Sequence, residues 1–436
     1  MLTEPSEILR PVPSTPKANV MPRYKMTVVL VSEFFAPGMG YLENSFPKYL
    51  ARAGVETHVI ATDLPLSYRE KGERQTYKNF AQPLPTGTVE HFDGYTVHIL
   101  GHQQLFGHMR IAGLGKKLAS LRPDVVQTMT PIGWIANQVA WYKLRFGYKF
   151  FSGCHYHSSV FPLASRTNKA SSSQKFHCLV TRTIPGRLAS FASQKCHCIS
   201  LDCADVATRF FGVPEKQIVI SPLGVDTELF FPDTHADEFA QRVSLRRELG
   251  FAGEDIVCVY SGRFTSDKNP ALLARAVAEL RSKGEPYRGL FVGDGRQGDA
   301  IRKCDGCVTR DFTPVHELGA LYHAADIGVW PTQESLSMLD AAACGLPIVV
   351  NHTMNAVERI DGNGLTYILG DLNDLIRVLG SLRYKDERRK LGSVGAIKMA
   401  STFSWESVTN RRLADYEAAL SSGSALQEAA QQDSNR

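Results

Sequence analysis

The sequence predicts an α/β chain made of two doubly wound, mostly parallel-sheet domains. Three observations carry this. Short runs rich in β-branched residues alternate with amphipathic helical stretches along most of the chain, the pattern of parallel sheets covered by helices. The alternation occurs twice, once on each side of a Gly- and Pro-containing stretch, IVISPLGVDTELFFP, at 218–232. And 436 residues exceed one ordinary core but suit two.

In the first half, strands are expected at 26–32 (MTVVLVS), 55–63, 124–129, 149–154 (KFFSGC) and 196–201. The second half repeats the scheme at 256–262 (IVCVYSG), 287–293, 326–331 and 346–351. The join near 218–232 separates a first domain, 25–225, from a second, 226–402. Trp405, Val408, Leu413, Tyr416 and Leu420 then recur at helical spacing, so 403–420 reads as one amphipathic helix that packs on the rest. Residues 1–24, proline-rich, and 421–436, small and polar, lack the apolar surface to hold ordered structure.

Composition narrows the class. With 43% hydrophobic and 21% charged residues the chain is globular in character. No apolar run reaches the roughly twenty residues of a spanning helix, and 1–24 has no apolar signal core, so a cytoplasmic protein is expected. Nine cysteines in a long chain without a secretory signal are expected as reduced thiols. Cys196, His197, Cys198 and Cys203 do not match a paired zinc knuckle, and Cys304 and Cys307 lack a second pair, so no metal site is expected. The net charge of +5 is modest, but 127–201 contains no Asp or Glu at all. It carries Lys143, Arg145, Lys149, Arg166, Lys169, Lys175, Arg182, Arg187 and Lys195, a positive face for an anionic partner such as a membrane surface; nucleic acid is not expected. The polar segment 165–175, with Arg166, Lys169 and Lys175, is the expected contact loop.

Two stretches carry chemistry. SGRFTSDKNP (261–270) is a strand ending in Gly262, then Arg263 and Lys268 in a loop, then a helix opening at Pro270; two cations beside a helix N-terminus suit a diphosphate. In PTQESLSMLDAAACGLPIVV (331–350), Glu334 and Asp340 lie in a loop and the following helix, where carboxylates can accept hydrogen bonds from sugar hydroxyls or merely cap the helix. Gly293 to Gly298 spells a dinucleotide fingerprint, but no acidic residue follows at a second strand end, so it reads as a turn at the cleft.

In their order and separations, SEFFAPGMGYLENSFPKYLARAGVETHVIATD, RPDVVQTM, GVPEKQIVISPLGVDTELFFP, GRFTSDKNP, LFVGDG, LYHAADIGVWPTQES and LDAAACGLPIVV resemble the retaining glycosyltransferases of family 4, over about 26–420. The resemblance implies the GT-B arrangement, two Rossmann-like domains about a cleft with a C-terminal helix crossing back. It implies transfer of a hexose-type sugar from a UDP- or GDP-sugar to a glycan or lipid-linked acceptor, with no obligatory metal. Arg263 and Lys268 would hold the donor diphosphate. Asp340 would grip the ribose, and Gly38, Gly40, Gly262, Gly293, Ser335 and Leu336 would lie against the donor. A histidine after the fourth strand, His155 ahead of His157 by spacing, would contact the hexose. The family's first glutamate stands eight residues before the second; strict counting from Asp340 reaches Thr332, whereas Glu334 fills the role if the loop is two residues shorter. A non-catalytic donor-binding relative and a nucleotide-sugar epimerase are the alternatives.

Overall fold

A computed structural model describes residues 26–65, 83–105, 108–158, 161, 163–164, 171–233, 236–332 and 334–434. The first domain contains β1 (Thr27–Val31), β2 (Glu56–Thr62), β3 (Val89–Phe92), β4 (Tyr95–Leu100), β5 (His102–Leu105), β6 (His108–Ile111), β7 (Val125–Thr128), β8 (Lys149–Cys154), β9 (Ser193–Cys198) and β10 (Ile218–Ile220). The second contains β11 (Ile256–Ser261), β12 (Tyr287–Val292), β13 (Cys307–Arg310), β14 (Ile327–Trp330), β15 (Ile348–Asn351) and β16 (Gly364–Tyr367). Their sheets have the orders β10-β9-β8-β7-β1-β2-β4-β3 and β13-β12-β11-β14-β15-β16, with β5 and β6 as a separate hairpin.

All pairings in the second sheet are parallel, and in the first only β3 runs antiparallel, against β4. The central strands are buried on both faces, which is why they read as continuous apolar runs rather than alternating ones. In each sheet the order reverses beside the first-used strand, β1 or β11, so the loops leaving those strands open into a crevice. The two crevices face each other.

Two expectations need correction. The strand placed at 196–201 lies at Ser193–Cys198, because Ser200 caps the next helix, Leu201–Phe211, its Oγ accepting from the Cys203 amide at 3.2 Å. Of the segment 421–436, expected to lack order, residues 421–434 continue the last helix, which runs Trp405–Ser434; 435–436 lie outside the described residues. Its Ala, Gln, Glu and Leu content after Gly423 is that of a strong helix former, a propensity that outweighs the missing apolar face.

That last helix crosses back onto the first domain. Trp405, Val408, Leu413 and Tyr416 are buried in one cluster with β1, β2 and the helix Leu42–Arg52. Each such burial stabilises by roughly 1.5–3 kcal/mol. Polar ties fix the crossing: Asp415 accepts from Lys195 at 2.5 Å and lies 2.9 Å from His197 Nε2, while the buried Arg412 donates from Nε to Ser221 Oγ at 2.8 Å and sits over the Phe46 ring. A bridge between Val225 and Ser404 joins the helix entrance to the interdomain segment.

The cysteine cluster has a packing explanation. Cys154, Cys178, Cys196, Cys198 and Cys203 are buried in one apolar cluster, acting as small hydrophobes, while His197 faces Asp415. Among the described residues no group of three or more His, Cys, Asp or Glu side chains could hold a metal ion, and no helix is long and apolar enough to cross a membrane.

Candidate functional site

The facing crevices enclose a cavity of about 510 Å³ lined from both domains. Its second-domain wall begins where β11 and β12 end. Gly262 and Gly293 have φ of +143° and +142°, and a Cβ on Gly293 would stand 1.9 Å from the Gly262 carbonyl oxygen. Only glycine tolerates that approach. It turns the chain so that Arg263 and Lys268 enter the cavity wall ahead of the helix Pro270–Ser282.

Arg263 Nη2 lies 3.7 Å from Asp267 Oδ2, and Lys268 Nζ donates to the Glu334 carbonyl at 3.0 Å. Burial, followed by the nearby Arg263 charge, pushes the Lys268 ammonium down to about 8. Beside these cations, Ser335 and Ser337 share a 2.7 Å hydroxyl contact, and Ser337 Oγ donates to the Ser261 carbonyl at 3.3 Å. One turn on, Asp340 lines the cavity while only 8% exposed. Burial, then the charge of Asp226, holds its carboxyl well above the usual range.

The first-domain wall is the loop after β1. Gly38 and Gly40 have φ of +76° and +67°, and a Cβ on Gly40 would come 2.7 Å from Val315 Cγ2, at the start of the second-domain helix Val315–His323. The glycine thus lets the two domains meet. Asp226, from the interdomain segment, accepts from Lys48 Nζ at 2.7 Å and Tyr49 Oη at 2.8 Å, closing the cavity's rear. Phe92, Phe230 and Phe312 add apolar lining.

A second cluster lies beside the cavity without lining it. The Asn355 amide donates to Glu334 Oε1 at 3.4 Å, and Asn355 Nδ2 reaches Ser158 Oγ and Asp202 Oδ1 of the first domain, both at 3.3 Å. Asp202 Oδ2 lies 3.2 Å from His157 Nδ1 and accepts from the Ser158 amide at 2.8 Å. Burial works against ionising Asp202, but the bonds from His157 and Ser158 prevail and hold its carboxyl below the usual value. His155 Nε2 is buried with no hydrogen-bond partner, and burial, then Arg412, pushes its ring down to about 3, so it is neutral at ordinary pH.

Of the residues singled out from sequence, Arg263, Lys268, Gly38, Gly40, Gly262, Ser335, Leu336 and Asp340 line the cavity. Gly293 lies directly behind it through Gly262; Glu334 and His157 belong to the adjacent cluster, and His155, two residues before His157, is buried outside the cavity lining. Thr332 is held by its carbonyl, which accepts from Asn351 Nδ2 at 2.7 Å. Gly298 opens a helix of only five residues, so the glycine-rich stretch is a turn. Lys175 is exposed on the helix Ser172–Cys178, away from the cavity lining; Arg166 and Lys169 lie outside the described residues. Sequence reading did not single out Lys48, Asp202, Asp226 or Asn355. Lys48 and Asp226 had a signal, their places in the quoted stretches SEFFAPGMGYLENSFPKYLARAGVETHVIATD and GVPEKQIVISPLGVDTELFFP. Two cations, hydroxyls and a buried acid on one wall of a cleft with apolar lining can hold an anionic, hydroxyl-rich ligand.

Comparison with known proteins agrees with this geometry. The model described as Glycosyltransferase Family 4 matches residues 46–229, and that described as Glycosyl transferases group 1 matches 255–382. Curated relatives include a D-inositol 3-phosphate glycosyltransferase of Geodermatophilus obscurus, 29% identical over 228 residues (48% of this chain, 49% of that protein). Another, from Xylanimonas cellulosilytica, is 30% identical over 223 residues, 47% of this chain and 52% of its own length. The chain thus spans about half the length of the curated relatives it matches. Among solved structures, sucrose-phosphate synthase from Thermosynechococcus elongatus shares the fold at TM-score 0.65 and 16% identity, covering 91% of this chain and 100% of that one. Anabaena HepE in complex with UDP-glucose does so at 0.64 and 15%, covering 91% and 100%.

Proposed function

Because the chain is of the family 4, group 1 glycosyltransferase type, we propose that it transfers a hexose-type sugar from a nucleotide-diphosphate sugar to a glycan or lipid-linked acceptor, retaining the sugar's configuration. The observation that carries the reading is the gathering of Arg263, Lys268, Ser335, Ser337 and Asp340 on the second-domain wall of one interdomain cavity. Ionising a sugar–phosphate bond places charge on the departing diphosphate, and preorganised cations at that point lower the barrier most. Arg263 and Lys268 take that role, and the serine hydroxyls and the amides near Gly38 and Gly40 bind the phosphates and sugar. Asp340, its carboxyl held above the usual range by burial, meets the ribose hydroxyls. Glu334, placed by Asn355 at the first-domain edge, meets the hexose beside His155 or His157.

None of the residues assigned a role here acts as a covalent nucleophile in this reading, so the leaving phosphate helps deprotonate the acceptor on the same face. UDP or GDP carries the donor sugar, a choice supported by the UDP-glucose bound in HepE. The acid-free span 127–201 supports an acceptor displayed at an anionic membrane surface, on the cytoplasmic side, in glycolipid or polysaccharide assembly.

The test is a panel of nucleotide sugars with and without acceptors. Acceptor-dependent nucleotide release, with an anomeric coupling in the product matching that of the donor, supports the proposal; an epimeric donor formed without acceptor, or an inverted product, refutes it. Binding without turnover favours the inert relative that Thr332 at the strict spacing suggests.

A further inference from the structure

We infer that the paired outer helices Gly133–Phe146 and Ile184–Ala192 form a docking surface for an anionic lipid bilayer. The helices are tied together by Asn137 Nδ2 donating to the Pro185 carbonyl at 3.3 Å and Lys143 Nζ to that of Ala192 at 2.6 Å. Their inner stripes, Ile135, Ala136 and Val139 on one and Ala189 on the other, already fill the core. A surface helix ordinarily turns polar residues outward. These do not: Trp141 is 71% exposed, Leu144 78%, Leu188 57% and Phe191 75%. On the second helix Ile184, Leu188 and Phe191 recur at spacings of four and three, one outward stripe, and exposed Phe176, Leu179 and Val180 extend it along the preceding turns. Two stripes with Trp141, Phe176 and Phe191 on adjacent helices make an apolar face that is exposed among the described residues.

Charge selects the occupant. The whole span 127–201 lacks an acidic residue, and exposed Arg145, Lys175 and Arg187 flank the apolar stripes. Arg187 lies with its Cζ 5.4 Å from the Phe191 ring, a cation set directly beside the apolar stripe. Aromatic and aliphatic residues edged by long basic side chains are the composition of an interfacial helix, whose apolar face enters the acyl boundary while cations meet headgroups. A second copy of the chain is a poor occupant, because a two-fold contact would set these cations against themselves. The surface thus lies on the outer helices rather than resting on the loop 165–175 alone. The inference rests on the reading above for its purpose, bringing the cleft to a lipid-linked acceptor.

The experiment is co-sedimentation of the full chain with phosphatidylcholine vesicles and with vesicles of phosphatidylcholine and phosphatidylglycerol, at low and high salt. Two variants accompany it, Leu188→Ser with Phe191→Ser, and Arg145, Lys175 and Arg187 all changed to Ser. Binding to anionic vesicles that weakens with salt is expected. The basic triple change should weaken it roughly 100-fold, and the apolar pair should abolish it. The UDP-induced thermal shift, which reads the cleft alone, should match that of the unchanged protein in both variants. Vesicle binding that is absent, indifferent to lipid charge, or unchanged in the variants overturns the inference and leaves the donor site standing if the UDP shift persists. Concentration-dependent dimerisation of the free protein, lost in the apolar variant, likewise overturns it in favour of a second copy.

Discussion

Lys268 donates from Nζ to the backbone carbonyl of Glu334 at 3.0 Å, tying the loop after β11 to the loop after β14. The cation and the carboxylate-bearing residue are therefore positioned by each other, 66 residues apart in sequence. Through the Asn355 amide on Glu334, and Asn355 Nδ2 on Asp202 and Ser158, the same chain of contacts reaches the first domain.

Replacing Arg263 or Lys268 by Ala should lower transfer by about 10²-fold, the usual loss when a group stabilising leaving charge is removed. The double variant should still fold, because both side chains stand in a loop at the cavity wall. Turnover with the best donor of the panel measures it, and a normal rate in the double variant would falsify the diphosphate site.

Because burial and the Arg263 charge push the Lys268 ammonium down to about 8, donor affinity should depend on pH on the alkaline side. A bound diphosphate raises the ammonium's value, since an opposite charge favours the charged form. Affinity is then fully present below about 8 and declines as pH rises through it, by up to about tenfold per unit. Calorimetry with UDP between pH 7 and 9.5 should show this decline, and Lys268→Arg should flatten it. A decline of equal slope in the Arg variant would mean that another group titrates.

Glu334→Gln should depress transfer by at least about tenfold, whereas Thr332→Ala should change it little, the cost of weakening one charged hydrogen bond to substrate being the larger. Asn355→Ala should resemble the Glu334 variant in a milder form, because it removes the bridge to Asp202 and Ser158. Should Thr332→Ala prove the more damaging, the acidic position follows strict spacing and Glu334 is structural.

How much of this was legible beforehand follows from what each residue touches. β1, β7, β8, β11 and β15 announce themselves because both their faces are largely buried and each carries adjacent apolar residues, as in TVVLV, KFFSGC and IVCVYS. β3 and β4 were not read, although Asp93 and Gly94, with φ of 41° and 89°, form the tight turn that joins them. The exposed strand residues Val89, Glu90 and His91 carry no apolar alternation to flag. The edge strands β13 and β16 are four residues long, too short to leave a period. In the site, residues on the loops after β11 and β14 belong to contiguous motifs, so the sequence shows them. Asn355 and Asp202 meet across 153 positions, and Lys48 and Asp226 across 178, juxtapositions that only the docking of the two domains creates.

Asp340→Asn separates stability from ligand binding. The folded protein holds this carboxyl above its ordinary value through burial and the charge of Asp226, so the native state takes up a proton more readily than the unfolded chain. By linkage, the ionised form costs stability, and the cost grows as pH rises from the unfolded value near 3.8 toward the raised folded value. Asparagine keeps the shape without that cost. The variant should therefore melt higher than the unchanged protein at pH 8, by at least about 2 °C, and the gap should vanish toward pH 4. Affinity for UDP should fall at the same time if Asp340 meets the ribose, since an amide replaces a group that can donate or accept at either oxygen. Melting curves at the two pH values, with and without UDP, read both effects. A variant less stable at pH 8 would show that the carboxylate is held charged, whereas unchanged UDP affinity would remove Asp340 from the donor contacts and leave it as a buried acid beneath them.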